Sequence, residues 1–367
     1  MAGLPPAVSE RGQTAAHAKP APASPACAGL RRPGPARLPA KPTVICTAGR
    51  TDSNYDAMRM DEEFGIPAPP GCSDGIIELP GRGRISVRQV PGPDGAPTLV
   101  LLHGLAATGR LNWFTALPAL SERYNVIVVD HRGHGGGIRT RRFRLADCAD
   151  DVAALADVLE VENYFAVGYS MGGPIAKLCW SRHPDRVRGL VLCATARHFV
   201  WPEARAAASA VMPGMVLAAR VAPKTFQRRM MGNVLAGLPR GERRERVRAE
   251  LQGSDPATVL QAARAVMRFT SHDWCSAINI PTAVVVTTRD RIVPTSRQYK
   301  LASAIRGARV FEVDGDHMAC VNAANRFVPA LVEACNHVVG QAAGRPVSLS
   351  SQTSSVRASR RKRAGLL

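Results

Sequence analysis

Residues 163–178 read NYFAVGYSMGGPIAKL. The apolar run from Tyr164 to Val167 breaks off at Ser170, which has a glycine two positions away on either side, Gly168 and Gly172. A helical pattern follows and stops before Pro184. Ser170 therefore stands at a strand-to-helix turn. If its backbone is driven into the left-handed region, the residues two before and two after come so close together that only glycine fits. Such a turn lifts the hydroxyl clear of the sheet edge, with a helix N-terminus behind it that favours developing negative charge. Gly-x-Ser-x-Gly also arises by chance, and the plain alternative is a turn serine without chemistry. The strand before and the helix after select the nucleophile reading.

Outward from this turn the chain alternates short apolar runs with helical patterns. TLVLL, VIVV, YFAV, LVLC and AVVV are continuous rather than alternating, as expected for strands buried on both faces of a parallel sheet. Between two of them, RLADCADDVAALADVLEV carries Leu145, Cys148, Val152, Leu155 and Leu159 at helical steps. GIIELP and RISVRQV, joined by Gly81-Arg82-Gly83, read as an antiparallel hairpin. With ARVFEVDG this makes an α/β chain with a mostly parallel sheet of eight strands, flanked by helices. One interval, about 197–275, is helical and rich in Arg, Ala and Met with no convincing strand. It reads as a helical cap inserted between the sixth and seventh strands. Its apolar residues Met212, Met215, Leu217, Phe226 and Met230 are candidates to line a substrate pocket.

A serine hydroxyl needs a base to take its proton, and that base needs a carboxylate to hold its tautomer. In the order serine, acid, histidine, both come late in the chain. His317 follows the last apolar run, and Asp290 lies just past the run AVVVTT. Asp314 and Asp316 are nearer to His317 in sequence, but neighbours on a tight loop point away from the ring they flank. His103 and His134 lie in glycine-containing loops that suit backbone bonding. His17, His131, His183, His198, His272 and His337 have no motif context. The oxyanion donors expected are the backbone N–H of Met171, at the helix start, and of Leu105, in the loop after the third strand. Nothing in the sequence calls for a cofactor or a metal.

The chain has 367 residues, 46% of them hydrophobic, and a formal net charge of +19. Residues 1–45 are Ala/Pro-rich without periodicity and read as a disordered arm, with 46–72 an ambiguous continuation. Residues 341–367, rich in Ser and Arg, read as a disordered basic tail, and a second concentration of arginine lies between Arg228 and Arg248. Such charge allows weak contact with anionic surfaces, although a solvated tail and a solvated helix face are the plainer reading. Without aromatic interleaving or a known module, nucleic-acid binding is not expected. The 9 cysteines show no CxxC spacing, which argues for free thiols in a reducing compartment. No apolar run approaches the length of about 18 residues that spans a membrane, and prolines interrupt any signal-like stretch at the N-terminus. A cytoplasmic protein is expected.

With these residues assembled, the stretch from about 75 to 340 resembles the serine-type bacterial α/β-hydrolases, with a domain expected over 73–340. LLHGLAATGRLNW, VVDHRGHG, VGYSMGGPIAKL, HPDRVRGLVLCAT, PTAVVVTTRDRIVP and VDGDHM carry the likeness. The subgroup most similar holds the 3-oxoadipate enol-lactonases, related carboxylesterases and cofactor-free haloperoxidases. The resemblance implies a hydrolase of small-molecule esters, lactones or thioesters acting through an acyl-enzyme. It also implies two alternatives, perhydrolysis on the same triad or a binding protein that has kept the fold without turnover. Epoxide hydrolases and haloalkane dehalogenases of this fold need a carboxylate where Ser170 stands. In such families the turn from Asp130 to Gly135 is structural, with Arg132 bonding nearby backbone. The chain departs from the pattern at Gly136 and Gly137, in its arginine-rich cap and in its long N-terminal arm.

Overall fold

The computed structural model describes residues 66, 68–223, 225 and 253–344. The arm 1–45, residues 46–65 and 67, the arginine concentration Arg228–Arg248, Phe226, Met230 and the tail from 345 lie outside the described residues.

Strands β1 (Ser73–Leu79) and β2 (Gly83–Val90) form the expected hairpin, paired antiparallel from Ser73↔Gln89 to Leu79↔Gly83. After them come β3 (Thr98–Leu102), β4 (Asn125–Val129), β5 (Tyr164–Tyr169), β6 (Val187–Cys193), β7 (Thr282–Thr287) and β8 (Arg309–Val313). All eight belong to one sheet, ordered β1-β2-β4-β3-β5-β6-β7-β8. β2 runs antiparallel to β4, and every pairing from β4 to β8 is parallel. The strand that ends at Ser170 therefore lies between β3 and β6, near the middle of the sheet.

Side chains alternate across a strand, so one continuous apolar run feeds two cores. In β3, Val100 and Leu102 join one core while Leu99 and Leu101 join the other. The first core is closed by α3 (Leu145–Val158) and α4 (Gly172–Arg182). Leu145, Cys148, Val152 and Leu155, at the spacing read from the sequence, are its buried stripe. The second is closed by α1 (Gly109–Trp113), α2 (Leu117–Ser121) and the last helix, α9 (Ala324–Ala343). Phe327, Leu331, Cys335 and Val338 of α9 are fully buried against this face. Burying each such Leu, Val or Phe contributes roughly 1.5–3 kcal/mol. α9 runs a few residues past the expected boundary at 340 because Ala342 is still packed in the core.

The cap is inserted where the sequence predicts it, between β6 and β7. Its described part is α5 (Pro202–Val221), α6 (Pro256–Arg268) and a 3-10 turn (Cys275–Ala277). Two short helices, α7 (Thr295–Ala302) and α8 (Ala319–Asn322), complete the described elements. The cysteines within the described residues are all free, and all but Cys72 are buried. No helix among the described residues is long and apolar enough to cross a membrane.

Candidate active site

Ser170 has φ +50, the left-handed backbone expected of a serine forced into a sharp turn. A Cβ added at Gly168 would stand 2.3 Å from the carbonyl oxygen of Gly172, so the predicted close approach is real. Gly172 is small for a different reason from the one expected: its own Cβ would meet the carbonyl oxygen of Leu102, at the end of β3, at 2.1 Å. The turn is held on both sides. Ser170 N–H donates to Cys193 O at 2.9 Å, and the Thr195 hydroxyl donates to Ser170 O at 2.9 Å.

His317 and Asp290 reach this serine from the carboxyl ends of β8 and β7. His317 Nε2 lies 3.0 Å from Ser170 Oγ, and His317 Nδ1 lies 2.7 Å from Asp290 Oδ2. A carboxylate can only accept, so Nδ1 carries the proton and Nε2 is left to accept from the serine hydroxyl. Asp290 is in turn fixed by its own turn: Oδ1 accepts from Ile292 N–H at 2.9 Å and Val293 N–H at 2.8 Å. Its Oδ2 also accepts from the Thr287 hydroxyl at 2.9 Å and from Gln298 Nε2 at 3.1 Å. Burial by itself would push this carboxyl up. The His317 hydrogen bond and charge, the Val293 N–H and the Thr287 hydroxyl outweigh it and hold the group below the ordinary carboxylate range.

The nearer carboxylates are engaged elsewhere. Asp314 pairs with Arg289 and Arg326 at 2.7 Å, and Asp316 caps the N–H of Met318 at 2.8 Å. His103 and His134 bond to backbone, as their loops suggest, through Gly104 O at 2.7 Å and Arg132 O at 2.9 Å. His103 Nε2 also accepts from His131 N–H at 2.9 Å, and the three rings form one buried group. Arg132 corrects an expectation. Its guanidinium forms a bidentate pair with Asp151, at 2.5 and 2.6 Å, rather than bonding backbone, because Asp151 of α3 is buried directly behind the turn.

The two expected oxyanion donors sit on the elements that flank Ser170 in the fold. Met171 is fully buried at the head of α4. In the loop after β3, a Cβ on Gly104, the residue before Leu105, would stand 3.4 Å from Ser170 Cβ. Asn112 fixes this loop by accepting the Gly104 N–H at 2.9 Å. Neither the Leu105 nor the Met171 N–H donates to a turn or loop carbonyl among the described residues.

Sequence reading missed Tyr169, whose hydroxyl donates to His317 O at 2.8 Å while its ring lies edge-on to the imidazole at 5.9 Å. It also missed Gln298, which is fully buried and ties Thr287, Asp290 and Val293 together. Neither has a local motif to announce it. In the cap, Met212 is buried, but Met215 and Leu217 are 46% and 63% exposed. The inward stripe of α5 is Ala208, Met212 and Ala219, and Leu217 falls well off it. Both stems of the cap meet at Lys177, which is fully buried on α4. Its Nζ donates to Ala196 O at 2.9 Å and to Ser271 Oγ at 3.1 Å, and burial lowers its pKa to about 7.

A central mostly parallel sheet, a strained serine at a strand-to-helix turn and a late histidine define a hydrolase of the α/β class. The chain belongs to the α/β-hydrolase fold family, whose pattern matches residues 97–324. It is similar to the pimeloyl-[acyl-carrier protein] methyl ester esterase of Chromobacterium violaceum, 29% identical over 243 residues, covering 65% of this chain and 93% of that protein. Among solved structures it is similar to a thermophilic esterase from Thermogutta terrifontis, with a TM-score of 0.59 and 25% identity, over 72% of this chain and 99% of that one. The enol-lactonase from Burkholderia xenovorans shares the fold at a TM-score of 0.59 and 24% identity, over 71% of this chain and 99% of that one.

Proposed function

We propose that the protein is a serine hydrolase that cleaves a carboxylic ester, lactone or thioester through Ser170, His317 and Asp290. The observation that carries this reading is the pair of contacts made by one imidazole, 3.0 Å to Ser170 Oγ and 2.7 Å to Asp290. His317 Nε2 takes the hydroxyl proton as Oγ attacks the acyl carbon, and Asp290 stabilises the imidazolium that forms. The oxygen of the tetrahedral species settles between the N–H groups of Met171 and Leu105. Collapse expels the leaving oxygen or sulfur, which takes the proton from His317 and leaves an acyl-Ser170. Water, deprotonated by the same nitrogen, then releases the acid. The esterase named among its relatives, similar over most of that protein's length, supports an acyl substrate with a small alcohol leaving group.

A fluorophosphonate tests the reading, because only an activated serine attacks it. Ser170 in the peptide VGYSMGGPIAK is expected to be phosphonylated once per chain within minutes, and far more slowly in His317→Ala. An unmodified peptide from folded protein, beside a control serine hydrolase labelled in the same tube, would overturn it.

A further inference from the structure

The loop that precedes α3 is laid along α6 by three hydrogen bonds to its backbone. Gln261 Oε1 accepts from Phe143 N–H at 3.0 Å, Gln261 Nε2 donates to Arg141 O at 3.0 Å, and the Thr258 hydroxyl donates to Thr140 O at 3.1 Å. Phe143 is buried beneath this clamp, and Arg142 and Arg144 on either side of it are exposed. Arg264 and Arg268 stand one turn apart on the facing helix. The four side chains line one groove of about 590 Å³. A neighbouring recess of about 370 Å³ shares Arg268 and adds Arg205 and Ser209.

Among the described residues no carboxylate lines either recess. Among the described residues none of the four guanidinium groups makes an ion pair or hydrogen bond, and the Nε of Arg264 is itself buried. Like charges gathered on two clamped elements repel one another, and a ligand that neutralises several at once relieves this. We infer that this groove is a binding site for a phosphate-bearing small-molecule anion carrying at least two phosphate charges. Guanidinium forks match phosphate oxygens in pairs, whereas a single carboxylate would leave most of the positive charge uncompensated. The groove has the size of a small-molecule cleft, about 300–1,000 Å³. Ser170, Asp290 and His317 do not line it, so the site stands whether or not the proposed catalysis is correct. One wall belongs to the cap and the other to the loop before α3, and a bound anion would hold the two together.

Inorganic pyrophosphate is the probe, titrated calorimetrically into the full chain at fixed ionic strength. One saturable site is expected, with a Kd at least about tenfold weaker in Arg264→Gln/Arg268→Gln, since each lost charge-assisted bond removes a tenfold factor or more. Arg142→Gln/Arg144→Gln, on the exposed loop, is expected to do the same and covers the case in which the helix variant fails to fold. Arg360→Gln/Arg361→Gln is expected to leave the site unchanged. An unaltered Kd in the groove variants, the absence of a saturable site, or loss of binding only in the tail variant would overturn the inference. So would displacement of pyrophosphate by vesicles containing phosphatidic acid, which would mark a membrane-facing surface instead.

Discussion

Two histidine groups follow the carboxyl ends of strands in the same sheet, one after β8 and the other after β3 and β4, and they differ in what their rings face. His317 has a carboxylate on one nitrogen and a serine on the other. His103, His131 and His134 face backbone and one another, and Nε2 of His131 and of His134 makes no hydrogen bond among the described residues. Burial first, and then the neighbouring rings, push His131 down to about 3 and His103 well below its ordinary value. His134 is pushed down to about 4 by burial. An imidazole buried with no carboxylate hydrogen-bonded to its ring is kept neutral and becomes part of the scaffold. One with a buried acid behind it can accept a proton and give it back.

The contrast breaks most visibly at the proposed catalytic corner. Ser170→Ala or His317→Ala is expected to lower kcat by about 10⁴-fold or more, with circular dichroism unchanged. Asp290→Asn is expected to lower it by about 10³-fold or more through the wrong tautomer. Retention of a tenth of the activity in any of the three would end the assignment of roles.

The scaffold trio is tested with acid. Below the ordinary histidine value of about 6.5 the unfolded chain binds protons that the folded trio refuses, so stability falls as pH falls. The loss continues toward the folded values of about 4 for His134 and about 3 for His131. Each neutral imidazole contributes a slope of about 1.4 kcal/mol per pH unit in that window. Urea midpoints between pH 7 and 5 measure it. His134→Asn, which keeps a donor for Arg132 O and cannot titrate there, is expected to flatten the slope by about one proton. An unchanged slope would mean that the trio is not held neutral.

Smaller effects separate positioning from chemistry. Tyr169→Phe leaves His317 O without its donor and frees the imidazole loop. A fall in kcat of about fivefold is expected, for about 1 kcal/mol of lost hydrogen bonding. KM should be little changed, and the acid limb of the pH–rate profile displaced. Lowered stability alone, with kcat and the profile intact, would make Tyr169 purely structural. Smallest of all, Asp314→Asn and Asp316→Asn should change kcat less than about threefold, because these carboxylates serve arginines and a backbone turn.

Much of this architecture was legible because it is written in local patterns. The elbow needs Gly168 and Gly172 in contact range of backbone, and the hairpin needs Gly81 to Gly83. The two-sided burial of β3 leaves a run without alternation. Chain order pointed to Asp290 over two acids nearer to His317. What was not legible depends on partners far away in sequence. Gln298 reaches Asp290 only because α7 folds back beside β7, and Thr195 meets Ser170 across two strand ends. Asp151 captures Arg132 from another helix. The exposure of Met215 and Leu217 depends on how α5 is rolled, which a mixed apolar helix does not declare. The order of β4 between β2 and β3 likewise follows from crossovers that no single segment encodes.

The buried thiols give this molecule a built-in clock. Burial pushes Cys179, Cys320 and Cys335 up to about 12, and these thiols lie in α4, α8 and α9, on different sides of the sheet. Alkylation needs an exposed thiolate, so each of them should react only when its own neighbourhood opens. Timed trapping with iodoacetamide, read peptide by peptide, would then rank how often each helix leaves the sheet. Equal rates at all three would describe a body that opens as one, and unequal rates would order its parts by how readily they come away.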